Sequence, residues 1–355
     1  MHIFSARFNR PLPADGSDLR AMRDFPVVDI STFIGGSLSA RRSLAARVDE
    51  VCRATGFLAI VGHGVPSELI ADVRTAAKSF FDLPLARKLA VKMPFTGYPY
   101  GYAPLQAEAL AGSRGDQTPP DLKESFSSGP PDRALHGSAS PEQDFRFAPN
   151  LWPAEPVEFK EVWLRYYRAM SELAARLLRI FAVALNLPEE FFADKIDEHC
   201  SAMRALNYPA DLSAPLPGQL RAGAHTDYGS VTILLSDPNP GGLEIFAPEG
   251  EWVAVPSVPG GFIVNIGDLM ARWTNDRWVS TLHRVIYPPA SESGTQRRRQ
   301  SIAFFHQPNW DAEITCLPTC LGPGEKPKYP PVTSGAHLRE KFLRGLPINA
   351  PPDIH

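Results

Sequence analysis

The sequence predicts a mainly β protein with flanking helices, in which a helical N-terminal region is fused to a barrel or sandwich of short strands. Three observations predict it. After Ala202, short apolar runs follow one another at roughly ten-residue spacing, separated by turn residues. Before them, three stretches place apolar residues at the spacing of helices buried on one face. Proline and glycine number 36 and 26 in 355 residues, which suits many turns between strands better than a helical bundle.

After a polar opening stretch, Phe25 to Ile30 reads as a short strand. Between Ser39 and Thr55, Leu44, Val48, Val51 and Cys52 mark a helix, and Thr55-Gly56 supplies its stop. Phe57 to Val61 is a continuous apolar run of strand length, closed by Gly62-His63-Gly64-Val65-Pro66. A second helix starts near Pro66 and carries Leu69, Val73, Ala76 and Phe80 on one face. From Pro94 to Pro156 the periodicity disappears, and Gly, Pro and Ser crowd around Tyr98, Tyr100, Tyr102 and Phe126. So long a passive loop is uncommon in a compact domain, so this segment is expected to be a lid or an irregular binding segment.

Glu155 to Leu187 carries Val162, Tyr166, Met170, Leu173, Leu177, Phe181 and Ala184, the stripe of a long helix expected to back the sheet of the second half. The strands then run Arg204 to Tyr208, Ser230 to Leu235, Gly242 to Phe246, Trp252 to Val255, Gly261 to Ile266, His283 to Tyr287 and Gln300 to His306. No linker separates the halves. The expected organisation is an N-terminal region, 1–155, with its lid segment 94–156, fused to a long helix and β core, 156–355.

Hydrophobic residues at 44% and charged residues at 21% give the balance of a globular protein with a large core. Lys and Arg (36) against Asp and Glu (39) leave a formal charge of −3, so there is no basic field to hold nucleic acid. Cys52, Cys200, Cys316 and Cys320 are too sparse for a disulfide framework, which points to a reducing, cytoplasmic setting. No apolar run reaches the roughly 20 residues that span a bilayer, and the opening residues lack a signal-peptide core, so no membrane partner is expected. Oligomeric state stays open.

His225-Thr226-Asp227 puts an imidazole and a carboxylate at i and i+2, which at a strand end point to one side. His283 opens another strand and can join them. Two histidines and one carboxylate make the facial triad of non-haem Fe(II) oxygenases, with positions left open for small molecules. Alone, His-x-Asp is equally the pattern of a loop cap. The last strand adds weight, because Arg299 and Ser301 face one way and can grip a carboxylate, with Tyr208 offering a further hydroxyl. Alternation continues that face through Ala303 to Phe305, a candidate substrate wall, and turns His306 away. Arg204 shares a face with Tyr208 and could meet an acidic group. His63 reads as structural, and Cys316 and Cys320 as thiols without a metal partner.

These stretches resemble the isopenicillin N synthase-like branch of the Fe(II)/2-oxoglutarate-dependent dioxygenases. The resemblance runs from Phe25-Pro26-Val27-Val28-Asp29-Ile30 and Gly62-His63-Gly64-Val65-Pro66 to Asn309-Trp310-Asp311-Ala312. Its most specific parts are Ala224-His225-Thr226-Asp227-Tyr228-Gly229, Val264-Asn265-Ile266-Gly267-Asp268, Asn275-Asp276-Arg277-Trp278, Ser280-Thr281-Leu282-His283-Arg284-Val285 and Arg299-Gln300-Ser301. It implies a double-stranded β-helix (jelly-roll) core, iron on His225, Asp227 and His283, and the distal carboxylate of 2-oxoglutarate on Arg299, Ser301 and Tyr208.

The implied function is oxidation of a small organic molecule with Fe(II), 2-oxoglutarate and O2, releasing succinate and CO2. Hydroxylation is the default outcome, with desaturation or cyclisation as variants. Two alternatives stay open at this point: an iron oxidase of the same fold that does not use 2-oxoglutarate, and a catalytically silent jelly-roll binding protein. Phe305, Arg204, Tyr102 and Phe126 are the candidate substrate residues, and the aromatic ones suit a molecule with apolar or aromatic surface.

Overall fold

The computed structural model describes residues 25–95, 97–116, 118–131, 146, 148–210, 215–237, 241–287 and 298–344. Its centre is an eight-stranded sheet in the spatial order β1 (Val27–Asp29), β2 (Phe57–Val61), β10 (Phe262–Ile266), β7 (Val231–Leu235), β12 (Arg299–His306), β5 (Ala202–Tyr208), β4 (Glu124–Ser128) and β3 (Gly101–Ala103). A four-stranded sheet, ordered β6 (Ala222–His225), β11 (His283–Val285), β8 (Leu243–Phe246) and β9 (Trp252–Ala254), covers one face. Glu313–Ile314 and Val332–Thr333 form a separate two-stranded ribbon.

Strand alternation divides the apolar residues between two cores. Phe57, Ala59, Leu206, Ile263 and Ala303 of the large sheet meet Ala222, Leu243, Ile245 and Val285 of the small one, the two-layer interior of a jelly roll. On the opposite face, Leu58, Ile60, Met203, Ile233, Val264 and Phe304 pack under the helices. The long helix, Phe159–Ala184, backs this face, with Tyr167 edge-on to Phe304 at 5.2 Å. Helices Leu38–Ala54 and Ser67–Phe81 lie against it in turn. Ser37 caps the first, accepting from Ala40 N at 3.2 Å, and Gly56 turns the chain at φ 62° into β2. A Cβ at Gly56 would lie 2.0 Å from the Val279 carbonyl, so this turn also requires the absence of a side chain.

The N-terminal strands β1 and β2 join the large sheet, and so does part of the segment expected to be irregular. Within 94–156, β3 and β4 extend the large sheet beyond β5. Several elements have no counterpart in the sequence expectations, two of them for a plain physical reason. Strand β6 is an Ala-Gly-Ala-His run with no hydrophobic signature, and the last described helix, Ser334–Arg344, buries only Ser334, Gly335 and His337. No described helix is long and apolar enough to cross a membrane.

Candidate active site

His225 ends β6 and stands directly opposite His283 in the antiparallel β6–β11 pair. Directly paired residues project to the same side, so the two imidazoles lie with ring centres 4.3 Å apart. Thr226 intervenes, and Asp227 returns to that side, with Oδ1 3.9 Å from His225 Nε2 and 3.7 Å from His283 Nε2. Among the described residues, these three are the one group whose donor atoms converge in this way.

Each donor is oriented by a second contact. His225 Nδ1 donates to the Gly223 carbonyl at 2.7 Å and His283 Nδ1 to the Thr281 carbonyl at 3.1 Å, which leaves both Nε2 lone pairs facing the common point. Thr232 Oγ1 and Asn265 Nδ2 donate to Asp227 Oδ2 at 2.6 and 2.7 Å, freeing Oδ1. Burial, followed by the neighbouring His283, holds His225 down at about 4, so it is neutral at physiological pH. Burial alone would raise Asp227, but His283 and His225, with the hydrogen bonds from Asn265 and Thr232, outweigh it and keep the carboxylate ionised. Two imidazoles beside one carboxylate suit a divalent first-row ion such as Fe(II).

Arg299, Ser301, Ala303 and Phe305 alternate along β12 on the cavity side of the large sheet. Arg299 is 5% exposed, and its hydrogen-bonding partner among the described residues is Ser301 Oγ at 3.5 Å. Tyr208, opposite Arg299 in register, places its ring centre 5.0 Å from the guanidinium carbon. A buried guanidinium with a hydroxyl at its side and no carboxylate partner among the described residues is suited to an anionic ligand.

Beyond the clamp the wall is largely apolar, with Leu110, Leu206, Leu234, Phe305, Trp310 and Phe342 around it. Arg204 reaches this wall, but it is held by both Glu108 oxygens at 3.0 and 3.1 Å and by Ser127 Oγ at 2.8 Å. The expectation that it is available to an acidic group is therefore revised. Lys123 joins the same network through Asp121 at 2.6 Å and Glu108 at 3.3 Å. Asp121 in turn accepts from Gly223 N of β6 at 2.9 Å.

Tyr102 and Phe126, expected in the pocket, lie outside it. In the β4–β5 ladder Ser127 pairs with Arg204, while Phe126 pairs with Ala205 and so takes the helix side of the sheet. There it sits fully buried between Phe80, Phe159 and Trp163. Tyr102 opposes Phe126 in β3 and donates to Glu124 Oε2 at 2.5 Å, also on that side. Of the segment's aromatic residues, Tyr100 reaches the cavity.

The histidines set aside behave as the sequence indicates. His63 accepts from Val65 N at 3.1 Å and donates through Nε2 to the Gly260 carbonyl at 2.9 Å. His306 faces away and meets Ser230 Oγ at 2.7 Å. Sequence reasoning gave no roles to Asn265, Thr232, Lys123, Glu108 or the cavity residues Leu338 and Phe342. Asn265 carried a signal, since it belongs to the Val264-Asn265-Ile266-Gly267-Asp268 stretch, whereas Glu108 meets Arg204 across 96 residues of chain.

Comparison with known proteins agrees with this geometry. Residues 25–155 match the family model of the non-haem dioxygenase in morphine synthesis N-terminal region, and residues 198–308 match that of the 2OG-Fe(II) oxygenase superfamily. A 2-oxoglutarate-Fe(II) type oxidoreductase of Emericella nidulans is 39% identical over 312 residues, covering 87% of this chain and 86% of the relative. The validamycin A dioxygenase of Streptomyces hygroscopicus subsp. limoneus is 35% identical, covering 90% and 86%. A Neurospora crassa protein solved in complex with alpha-KG and thymine superposes with a TM-score of 0.79 at 30% identity, covering 90% of this chain and 96% of its own. The chain belongs to the 2-oxoglutarate/Fe(II) oxygenase superfamily and is a non-haem dioxygenase that oxidises a small molecule with Fe(II), 2-oxoglutarate and O2.

Proposed function

We propose that His225, Asp227 and His283 hold the Fe(II), that Arg299, Ser301 and Tyr208 hold the distal carboxylate of 2-oxoglutarate, and that the reaction is hydroxylation of a small organic molecule with an apolar or planar face. The observation that carries this reading is Arg299, a buried cation on the cavity wall whose one hydrogen-bonding partner among the described residues is a hydroxyl. When bound, iron and 2-oxoglutarate supply the oxidising chemistry, which consumes O2 and releases succinate and CO2.

The chain's own contribution is orientation and exclusion of water. Gly223 and Thr281 fix the imidazole tautomers, Asn265 and Thr232 fix the carboxylate, and Phe57 supports His283 edge-on at 5.4 Å. Leu206, Leu234 and Phe305 line the cavity as a dry flank for substrate. Because Arg204 and Lys123 are neutralised by Glu108 and Asp121, the wall offers shape and apolar surface more than a free charge. The thymine complex of the Neurospora crassa relative supports a planar substrate. A cytoplasmic location is part of the same reading, supported by four free cysteine thiols.

The test is succinate release by purified protein supplied with Fe(II) and 2-oxoglutarate, against a panel of neutral heterocycles, aromatic acids and amino acids. Stimulation by a planar or apolar compound, with KM raised in Phe305→Ala, is the expected result. Stimulation by flexible, multiply charged compounds alone would overturn the substrate class. Oxygen uptake without any 2-oxo acid would overturn the co-substrate assignment.

A further inference from the structure

Strand β10 ends at Ile266, and Gly267 brings the chain against the loop that carries two of the proposed ligands. A Cβ on Gly267 would lie 2.2 Å from the Gly229 carbonyl, so the approach is close enough to require glycine. Asp268 follows and touches that loop twice. Its backbone N donates to the Asp227 carbonyl at 2.8 Å, and its Oδ2 accepts from Thr226 Oγ1 at 3.2 Å. Thr226 is the residue between His225 and Asp227, turned away from the donor cluster. Asp268 Oδ1 accepts from Ser280 Oγ at 2.7 Å, in the segment that leads to His283.

One further group completes the set. Lys341 Nζ lies 2.8 Å from Asp268 Oδ2, and it comes from helix Ser334–Arg344. The same helix contributes Leu338 and Phe342 to the wall of the substrate cavity. Its start is seated by Gly335 N, which donates to the Trp310 carbonyl at 2.7 Å. A single carboxylate therefore joins both ligand-bearing segments to the helix that covers the cavity.

We propose that Asp268 and Lys341 are positioning residues that couple the seating of the cover helix to the arrangement of His225, Asp227 and His283. The inference rests on the assignment of those three residues as the metal ligands. Asp268 touches no ligand side chain, so it acts through Thr226, Ser280 and the Asp227 backbone. With Lys341 in place, Asp268 Oδ2 is shared by that cation and the Thr226 hydroxyl while Oδ1 takes the Ser280 hydroxyl, which narrows the range of both segments. Coupling of this kind is reciprocal: if seating the helix tightens metal binding, metal binding tightens the seat by the same factor.

Co(II), which is stable in air, serves as the probe, titrated by visible absorption into the full chain. Because Asp268 variants disturb several contacts at once, Lys341 carries the test. Lys341→Met should weaken Co(II) binding by about three- to tenfold, the scale of a partly exposed ion pair, and Lys341→Arg should restore most of it. In the unmodified chain, Co(II) with 2-oxoglutarate should slow amide exchange in 334–344, and in Lys341→Met that protection should be lost. If Lys341→Met lowers thermal stability but binds Co(II) as tightly as the unmodified chain, with the same protection, the residue is merely structural and the proposal fails. His225→Ala is the separate control. Should it retain Co(II), the ligand assignment fails, whatever Lys341 does.

Discussion

Tyr208 stands directly opposite Arg299 in the β5–β12 ladder, with its ring centre 5.0 Å from the guanidinium carbon. The aromatic face supports a cation that sits 5% exposed and has no carboxylate partner among the described residues. Arg299→Ala should therefore weaken 2-oxoglutarate by about 2–5 kcal/mol, the range for a desolvated charge-assisted pair, with metal binding preserved. The measurement is the 2-oxoglutarate KM beside Co(II) affinity. Unchanged kinetics would place the co-substrate elsewhere.

Loss of a proposed ligand should act on the metal first. His225→Ala, His283→Ala and Asp227→Ala are each expected to abolish turnover and to weaken Co(II) by more than about 100-fold, while Asn265→Ala, which leaves Thr232 as the remaining donor to Asp227 Oδ2, should cost about 10–100-fold. Chelator should abolish activity in the unmodified enzyme, and added Fe(II) should restore it. Calorimetric or absorption titration checks the order of these effects.

Phe126 distinguishes a core from a lid. Fully buried between Phe80, Phe159 and Trp163, it should cost about 3–5 kcal/mol of stability when replaced by alanine. The folded fraction of Phe126→Ala should bind 2-oxoglutarate as before. Chemical denaturation and binding measured on one preparation separate the two effects, and Phe305→Ala should show the reverse pattern, with little loss of stability and weakened substrate binding.

Glu108 links acid stability to the cavity wall. Burial opposes its charge, but Arg204 and Lys123 with their hydrogen bonds hold it down at about 2, from an ordinary value of 4.5. A carboxylate depressed on folding contributes stability that is fully present above its unfolded value and is lost as pH falls from about 4.5 towards 2. Glu108→Gln should reduce stability by about 1–3 kcal/mol at neutral pH and flatten the acid limb of the stability profile. Denaturant midpoints between pH 2 and 7 test it. An acid limb identical in the two proteins would show that the network with Arg204 does not hold Glu108 ionised.

Local periodicity was enough to place most elements and the chemistry they carry. The apolar stripe through Tyr166, Met170 and Leu173 defines the long helix, and the alternation of Arg299, Ser301 and Phe305 already separates the cavity face of β12 from Phe304 and His306. His225 and Asp227 are close in sequence, so their common direction follows from the backbone repeat.

Other features belong to the tertiary structure alone. Phe126 and Ser127 are neighbours in a strand, and nothing local says which one faces the cavity. The pairing of Ser127 with Arg204 decides it, because register with β5 sets the parity of β4. Arg204 looks available until Glu108, 96 residues away in the chain, closes on it. Strand β6 has no hydrophobic pattern and exists because β11 supplies its hydrogen bonds. The sequence determined the repeat of each element and the residue types at the site. Only folding decided which faces meet, because register and pairing are interactions between segments that the chain holds far apart.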